Sequence, residues 1–293
     1  MAGATGMILI SSCGFGSLST ITVLIMQAGV ELVPAMFWRY LLASLFLLFF
    51  LRQRVVTSIT QRQAVALILV GGLGQAVITY LSLAALAYLP VGPLAFLFYT
   101  YPAWVVLISS VTGRERLTLQ RLIALVIAMM GIVVMVGAPN SAVLNKFGVL
   151  LALGTAFLFA LYLPALTSVQ RGVPAGVSTF YLVAGVFGAF AFASMVNGEV
   201  FIPATVVQWR YLLTLALLCT VIAFGTLIAG LRVLGPVRTS IIATIEPFFT
   251  ALLGVIFLGE AVNRNTFFGG ALIAAAVLIL QRVRPAPANE APG

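Results

Sequence analysis

The chain is divided into long apolar runs, and no other feature restricts its folding as strongly. Runs bounded by charge, Gly/Pro or polar clusters fall at approximately 7–28, 33–51, 63–89, 91–112, 117–137, 147–170, 174–196, 209–231, 236–258 and 265–282. Each is close to the ~20 residues a helix needs to cross ~30 Å of hydrocarbon. A backbone in lipid must satisfy its own hydrogen bonds, and runs of this length do so as helices rather than barrel strands. The chain is therefore expected to be an all-α integral membrane protein with ten transmembrane helices. Connections between runs are short, so neighbouring helices run antiparallel and no soluble domain fits between them. Only 7% of the residues are charged, against roughly a quarter in a soluble domain. The first run lacks the basic flank of a cleaved leader and is expected to be a retained span. The Pro/Ala-rich segment 285–293 is expected to be a disordered cytoplasmic tail.

The same composition removes whole chemistries. There is no His and no Asp, hence no Ser-His-Asp triad and no H-E-x-x-H zinc site. The single lysine, Lys146, lies in Leu-Asn-Lys-Phe, which is no phosphate-cradling loop. An enzyme is not expected, nor a cofactor or a bound metal. The net charge of +9 would suggest nucleic acid if the cations clustered on a soluble face. Here they are strung out between apolar runs and orient the chain instead. With the N-terminus inside, eleven cations fall on one side and only Arg39, Lys146, Arg210 and Arg264 on the other. That asymmetry predicts two cytoplasmic termini. Cys13 and Cys219 lie within apolar runs and read as small packed side chains.

The two halves resemble each other at an offset of 145 residues. Leu89, Pro102 and Glu115 fall on Leu234, Pro247 and Glu260, so that Pro-x12-Glu occurs twice. A run-starting proline recurs one residue out of register, Pro90 against Gly235-Pro236. Near an offset of 143, Ser12, Gly16 and Ser19 fall on Thr155, Phe159 and Tyr162. Residues 1–140 and 141–284 then form two five-helix repeats. An odd helix number inserts the second copy upside down, an arrangement used by transporters that hold substrate near the midplane between the halves. An old duplication kept only as scaffolding is the alternative.

The five-plus-five plan, the paired Pro-x12-Glu ends and Phe37-Trp38-Arg39-Tyr40-Leu41-Leu42-Ala43 resemble the drug/metabolite transporter superfamily. The likeness is to its ten-helix EamA-type exporters and covers residues 5–284. Tyr99-Thr100-Tyr101-Pro102 and Ala156-Phe157-Leu158-Phe159-Ala160-Leu161-Tyr162 are similar to segments of bacterial aromatic amino-acid exporters. Phe15-Gly16 is also present, without the Asn that often follows it in the family. The resemblance implies export of small metabolites, amino acids with aromatic ones among them, across a bacterial-type inner membrane.

Polar groups inside spans are costly unless they face protein or water, so they mark a candidate pathway. Glu246 is the one carboxylate deep in a run, ten residues after Pro236, hence about 15 Å along a helix and near the midplane. It precedes Pro247, where a missing N–H loosens the helix, and its repeat partner is Tyr101. Such a carboxyl could carry a proton, receive a substrate ammonium, or hold helices together. Arg39, about two turns inside its run, could snorkel to the outer interface, pair with Glu246 or capture a substrate carboxylate. Gly71, Gln75, Thr79 and Ser82 form a stripe on one helix face, suited to lining a cavity or to joining helices.

Tyr99, Tyr101, Phe159 and Tyr162 offer aromatic faces with polar tips, while Ser12, Gln75 and Thr79 could bond a substrate's polar end. Gly92, Pro93 and Pro102 punctuate the fourth run, and Gly235, Pro236 and Pro247 the ninth, as candidate hinges. The function expected is alternating-access export of small, amphipathic molecules. A broad drug or other-metabolite exporter is the nearer alternative; a lipid scramblase or membrane-embedded enzyme is the more distant one. Two fused repeats make an obligate dimer or other protein partner unnecessary, so a monomer in the lipid bilayer suffices.

Overall fold

The computed structural model describes residues 2–56, 59–86, 88–89, 94, 97–113, 118–136, 145–197, 202–258 and 264–282. Among them every regular element is helical. The helices are α1 (Ala2–Gln27), α2 (Leu32–Val56), α3, α4 (Tyr101–Val111), α5 (Leu119–Val136), α6 (Lys146–Val169), α7 (Ala175–Asn197), α8, α9 (Glu246–Leu258) and α10 (Arg264–Arg282). Two of them are composite. In α3 a π-helical segment, Leu67–Leu73, joins Gln61–Ala66 to Gly74–Leu86, and in α8 another, Leu217–Ile222, joins Val206–Ala216 to Ala223–Ala243. Among the described residues, six helices are long and apolar enough to cross a membrane, and α4 and α5 contribute shorter apolar ones. Exposed side chains such as Phe49, Phe192 and Met195 are 70–79% accessible, the pattern of a surface whose solvent is hydrocarbon.

Helix starts are set by local chemistry that recurs between the halves. Thr60 accepts from the Gln63 N–H while the Gln63 side chain accepts from the Thr60 N–H, a complete capping box. Thr205 and Gln208 form the same box at the start of α8, an offset of 145 residues from the first. The Gln208 side chain also donates to the Ala28 carbonyl at 2.8 Å, tying the end of α1 to the start of α8. Packing follows the same logic. α1 packs on α8 and α9, α6 on α3 and α4, α2 on α7, and α5 on α10. Where α3 meets α7 the backbones nearly touch: a Cβ at Gly72 would stand 2.5 Å from the Gly185 Cα. Glycine at both positions permits that approach.

The ninth expected span is not one continuous helix. Gly235 adopts φ 74° and ψ 170°, a conformation in the region that favours glycine, and Pro236 then begins a fresh helical stretch. That stretch stops at a turn over Thr244–Ile245, and α9 starts at Glu246. The fourth span is likewise interrupted by a turn at Tyr99–Thr100 before α4 begins at Tyr101. Gly92, Pro93, Glu115, Glu260 and the segment 285–293 lie outside the described residues.

Candidate functional site

The two interruptions match bond for bond at the 145-residue offset. The Thr100 N–H donates to the Leu97 carbonyl at 3.3 Å, and the Ile245 N–H to the Ile242 carbonyl at 3.3 Å. The Ala103 N–H donates to the Thr100 carbonyl and the Phe248 N–H to the Ile245 carbonyl, both at 3.0 Å. Pro102 and Pro247 sit in the first turn after each break, where a missing N–H costs no helical bond. Threonine hydroxyls tighten both turns, Thr100 onto the Leu97 carbonyl at 2.6 Å and Thr244 onto the Ile241 carbonyl at 2.7 Å. Tyr101 and Glu246 are thereby the first residues of two half-helices, at equivalent positions.

Around these breaks the aromatic residues form one cluster. Tyr101 is 2% exposed, its ring meets Phe159 edge-on at 4.8 Å, and its hydroxyl reaches the Ser240 carbonyl at 3.5 Å. Phe159 stacks on Tyr162 at 5.9 Å and lies 5.6 Å from Phe98. Tyr99 lies 6.5 Å from Tyr101, and the half-buried Glu246 side chain is a neighbour of both tyrosines. One carboxyl group thus stands at the edge of a buried aromatic wall. Gly16 of α1 packs directly on the backbone of the α9 start, a Cβ there falling 3.0 Å from the Glu246 carbonyl oxygen. Phe159, which the 143-residue offset aligns with Gly16, packs on Tyr101 in the other break. The small residue lets the α1 and α9 backbones meet at Glu246; the large one sets a ring against Tyr101.

The remaining sequence-selected residues take other places. Gln75 donates to the Thr79 hydroxyl at 3.3 Å within α3, so each occupies part of the other's bonding capacity. Ser12 is buried in α1, and its hydroxyl makes no hydrogen bond in this structure. Arg39 is 2% exposed and does not reach an outer interface. Its Nε donates to the Thr220 hydroxyl at 2.7 Å and its Nη2 to the Cys219 carbonyl at 2.8 Å, both on the π-segment of α8. No ion pair joins it to Glu246 among the described residues. The snorkelling expectation fails because α8 brings an irregular stretch of backbone to Arg39, and the guanidinium saturates it.

The π-segment of α3 is secured in a related way. The Tyr162 hydroxyl donates to the Gly71 carbonyl at 3.1 Å, while on α8 the Ser17 hydroxyl lies 3.2 Å from the Cys219 sulfur. Ser17 and Tyr162 are themselves 145 residues apart, on α1 and α6. Sequence reasoning missed Phe98, Ser17 and both capping boxes. The boxes were detectable, since Thr-x-x-Gln recurs at the repeat offset.

Comparison with known proteins gives three findings. The EamA-like transporter family matches the chain over residues 4–137 and again over 146–282. An uncharacterized transporter of Archaeoglobus fulgidus is 27% identical over 215 residues, covering 72% of this chain and 76% of that one. A solved crystal structure aligns with a TM-score of 0.77 at 20% identity, covering 95% of this chain and 96% of its own, which establishes likeness of fold.

Proposed function

The chain belongs to the EamA-like transporter family, and from that premise we propose that it exports amino acids, aromatic ones among them, by alternating access. It is a multi-pass membrane transporter of small molecules; the substrate class and the direction are our inference. The observation that carries it is the Glu246 carboxyl beside Tyr99, at the edge of the wall formed by Tyr101, Phe159 and Tyr162. A carboxylate receives an ammonium group, and aromatic faces receive an apolar or aromatic side chain. The half-helix starting at Tyr101 directs the positive end of its dipole toward the break, which suits a substrate carboxylate. A zwitterion with an aromatic side chain satisfies all three.

The matched bonding at the two breaks supports a pair of inverted repeats, ten spans in all, hinged at Pro102 and Pro247. Pro236, following the positive-φ Gly235, adds a third flexible point. Both termini are cytoplasmic in this reading, the membrane is the inner one, and a monomer suffices. A scramblase needs a polar groove open to lipid, whereas Tyr99, Tyr101 and Tyr162 are buried here, which favours a transporter. A broad drug exporter would use the same aromatic wall without depending on Glu246.

Uptake of a labelled amino-acid panel into proteoliposomes tests the reading, with Glu246→Gln and Tyr101→Ala beside the parent. Saturable uptake of aromatic amino acids, weakened in both variants, is the expected result. Failure of every amino acid under any gradient overturns the substrate class. With an imposed pH gradient, normal transport and a normal pH response in Glu246→Gln would remove this residue as a proton carrier.

A further inference from the structure

Between α3 and α6, at mid-span of both helices, lies a groove of about 370 Å3. Its walls carry Leu73, Val77 and Leu161, which are 41–47% exposed and therefore face the bilayer in a membrane-spanning chain. Every lining residue is aliphatic or glycine except Tyr162. That tyrosine is 5% exposed, and its ring also stacks on Phe159 of the central cluster. Tyr162 thus belongs both to the lipid-facing groove and to the candidate substrate site.

The surroundings of that ring permit movement. Gly74 lies against it with no side chain, a Cβ there falling 3.2 Å from the Tyr162 ring. The helices on both sides of the groove depart from full α-helical bonding, α3 at its π-segment Leu67–Leu73 and α6 at Pro164. The proline leaves the Ala160 carbonyl, one turn before it, without its helical donor. A single hydrogen bond, to the Gly71 carbonyl, holds the Tyr162 hydroxyl in place.

We propose that the α3–α6 groove is a lateral portal through which the apolar ring of an amphipathic molecule dissolved in the bilayer reaches the central cluster, with Tyr162 as its movable wall. The volume lies within the roughly 300–1,000 Å3 usual for small-molecule sites. A flat ring continues the Tyr162–Phe159–Tyr101 series in the stacked and edge-on geometries such rings favour. The aliphatic lining receives the apolar ring alone, so the polar end of the molecule stays outside the groove. The proposal rests on reading the aromatic cluster as the substrate site.

The test measures access rather than transport, so its outcome is separable from that of the uptake assay. In full-length protein carrying Cys13→Ala, Cys219→Ala and Phe159→Cys, the new thiol reports arrival at the cluster. Reconstituted protein is labelled with N-phenylmaleimide, which partitions into the bilayer, and with a sulfonated maleimide confined to water. Val77→Trp should slow the phenylmaleimide about tenfold or more, as expected when a fitted space is overfilled, and leave the sulfonated reagent unchanged. Leu161→Trp on the facing wall should repeat the effect, which guards against misfolding of one variant. Leu107→Trp adds the same bulk to α4, at a 52% exposed position outside the groove, and should have no effect. Unchanged phenylmaleimide rates in both groove variants overturn the portal and leave the groove to acyl chains. Equal slowing by Leu107→Trp overturns it as well.

Discussion

Replacing Arg39 by lysine separates a structural role from a substrate-binding one. The guanidinium spans two acceptors on the α8 π-segment, at 2.7 Å from Nε and 2.8 Å from Nη2. A lysine ammonium is a single point of donation on a flexible stem and cannot reproduce that fork. One of the two bonds is lost, and a hydrogen bond to a charged group contributes about 1.5–3 kcal/mol. At about 1.36 kcal/mol per tenfold, local opening of the segment becomes about 10- to 150-fold more frequent. Cys219 lies within the segment and is fully buried, so its alkylation rate reports that opening. The assay compares Arg39→Lys with the parent in a Cys13→Ala background, reading Cys219 modification against time. Lysine keeps the positive charge, so the thiol's electrostatic surroundings change little and a faster rate reports exposure. The account expects that acceleration with an unchanged KM for substrate. An unchanged Cys219 rate together with a raised KM would refute the reasoning and make Arg39 a substrate ligand.

Three further outcomes follow from the geometry. Gly72→Ala forces a Cβ to within 2.5 Å of the Gly185 backbone and should cost about 1–3 kcal/mol through overpacking, read as a lower unfolding temperature in detergent. Gly154→Ala meets nothing within 4 Å and should be neutral or stabilising by up to about 1 kcal/mol in the same assay. Pro102→Ala and Pro247→Ala restore an N–H beside each break and should slow uptake, the double variant most; parental rates in the double variant would remove bending at these points from the transport cycle.

The apolar runs announced helices correctly because spans in lipid need little more than length and hydropathy. Glu246 stood out for a related reason, since in a chain without Asp a lone carboxylate inside a run is conspicuous. What hydropathy could not convey was the local bonding of the backbone. The span expected over 236–258 is broken at Thr244–Ile245 by turn bonds that leave no mark on apolarity. The π-segments of α3 and α8 are equally silent, yet they decide where Arg39 and Tyr162 go. Depth in one helix leaves Arg39 open to snorkelling, an ion pair or a substrate, whereas its partners lie about 180 residues away on another. Gln75 and Thr79 share a helix face as their spacing implies, and bond each other for that reason.

The central claim is that the paired breaks hold one substrate site reached in turn from each side of the membrane. Its most direct measurement uses Phe98→Cys, which sits in the aromatic cluster and keeps Glu246 and Tyr101, in a Cys13→Ala, Cys219→Ala background, reconstituted so that a membrane-impermeant maleimide is added to one face at a time. The account predicts labelling from either face and protection from both by the same transported amino acid. Labelling confined to one face whatever gradient is applied, or labelling that no substrate slows, would contradict it.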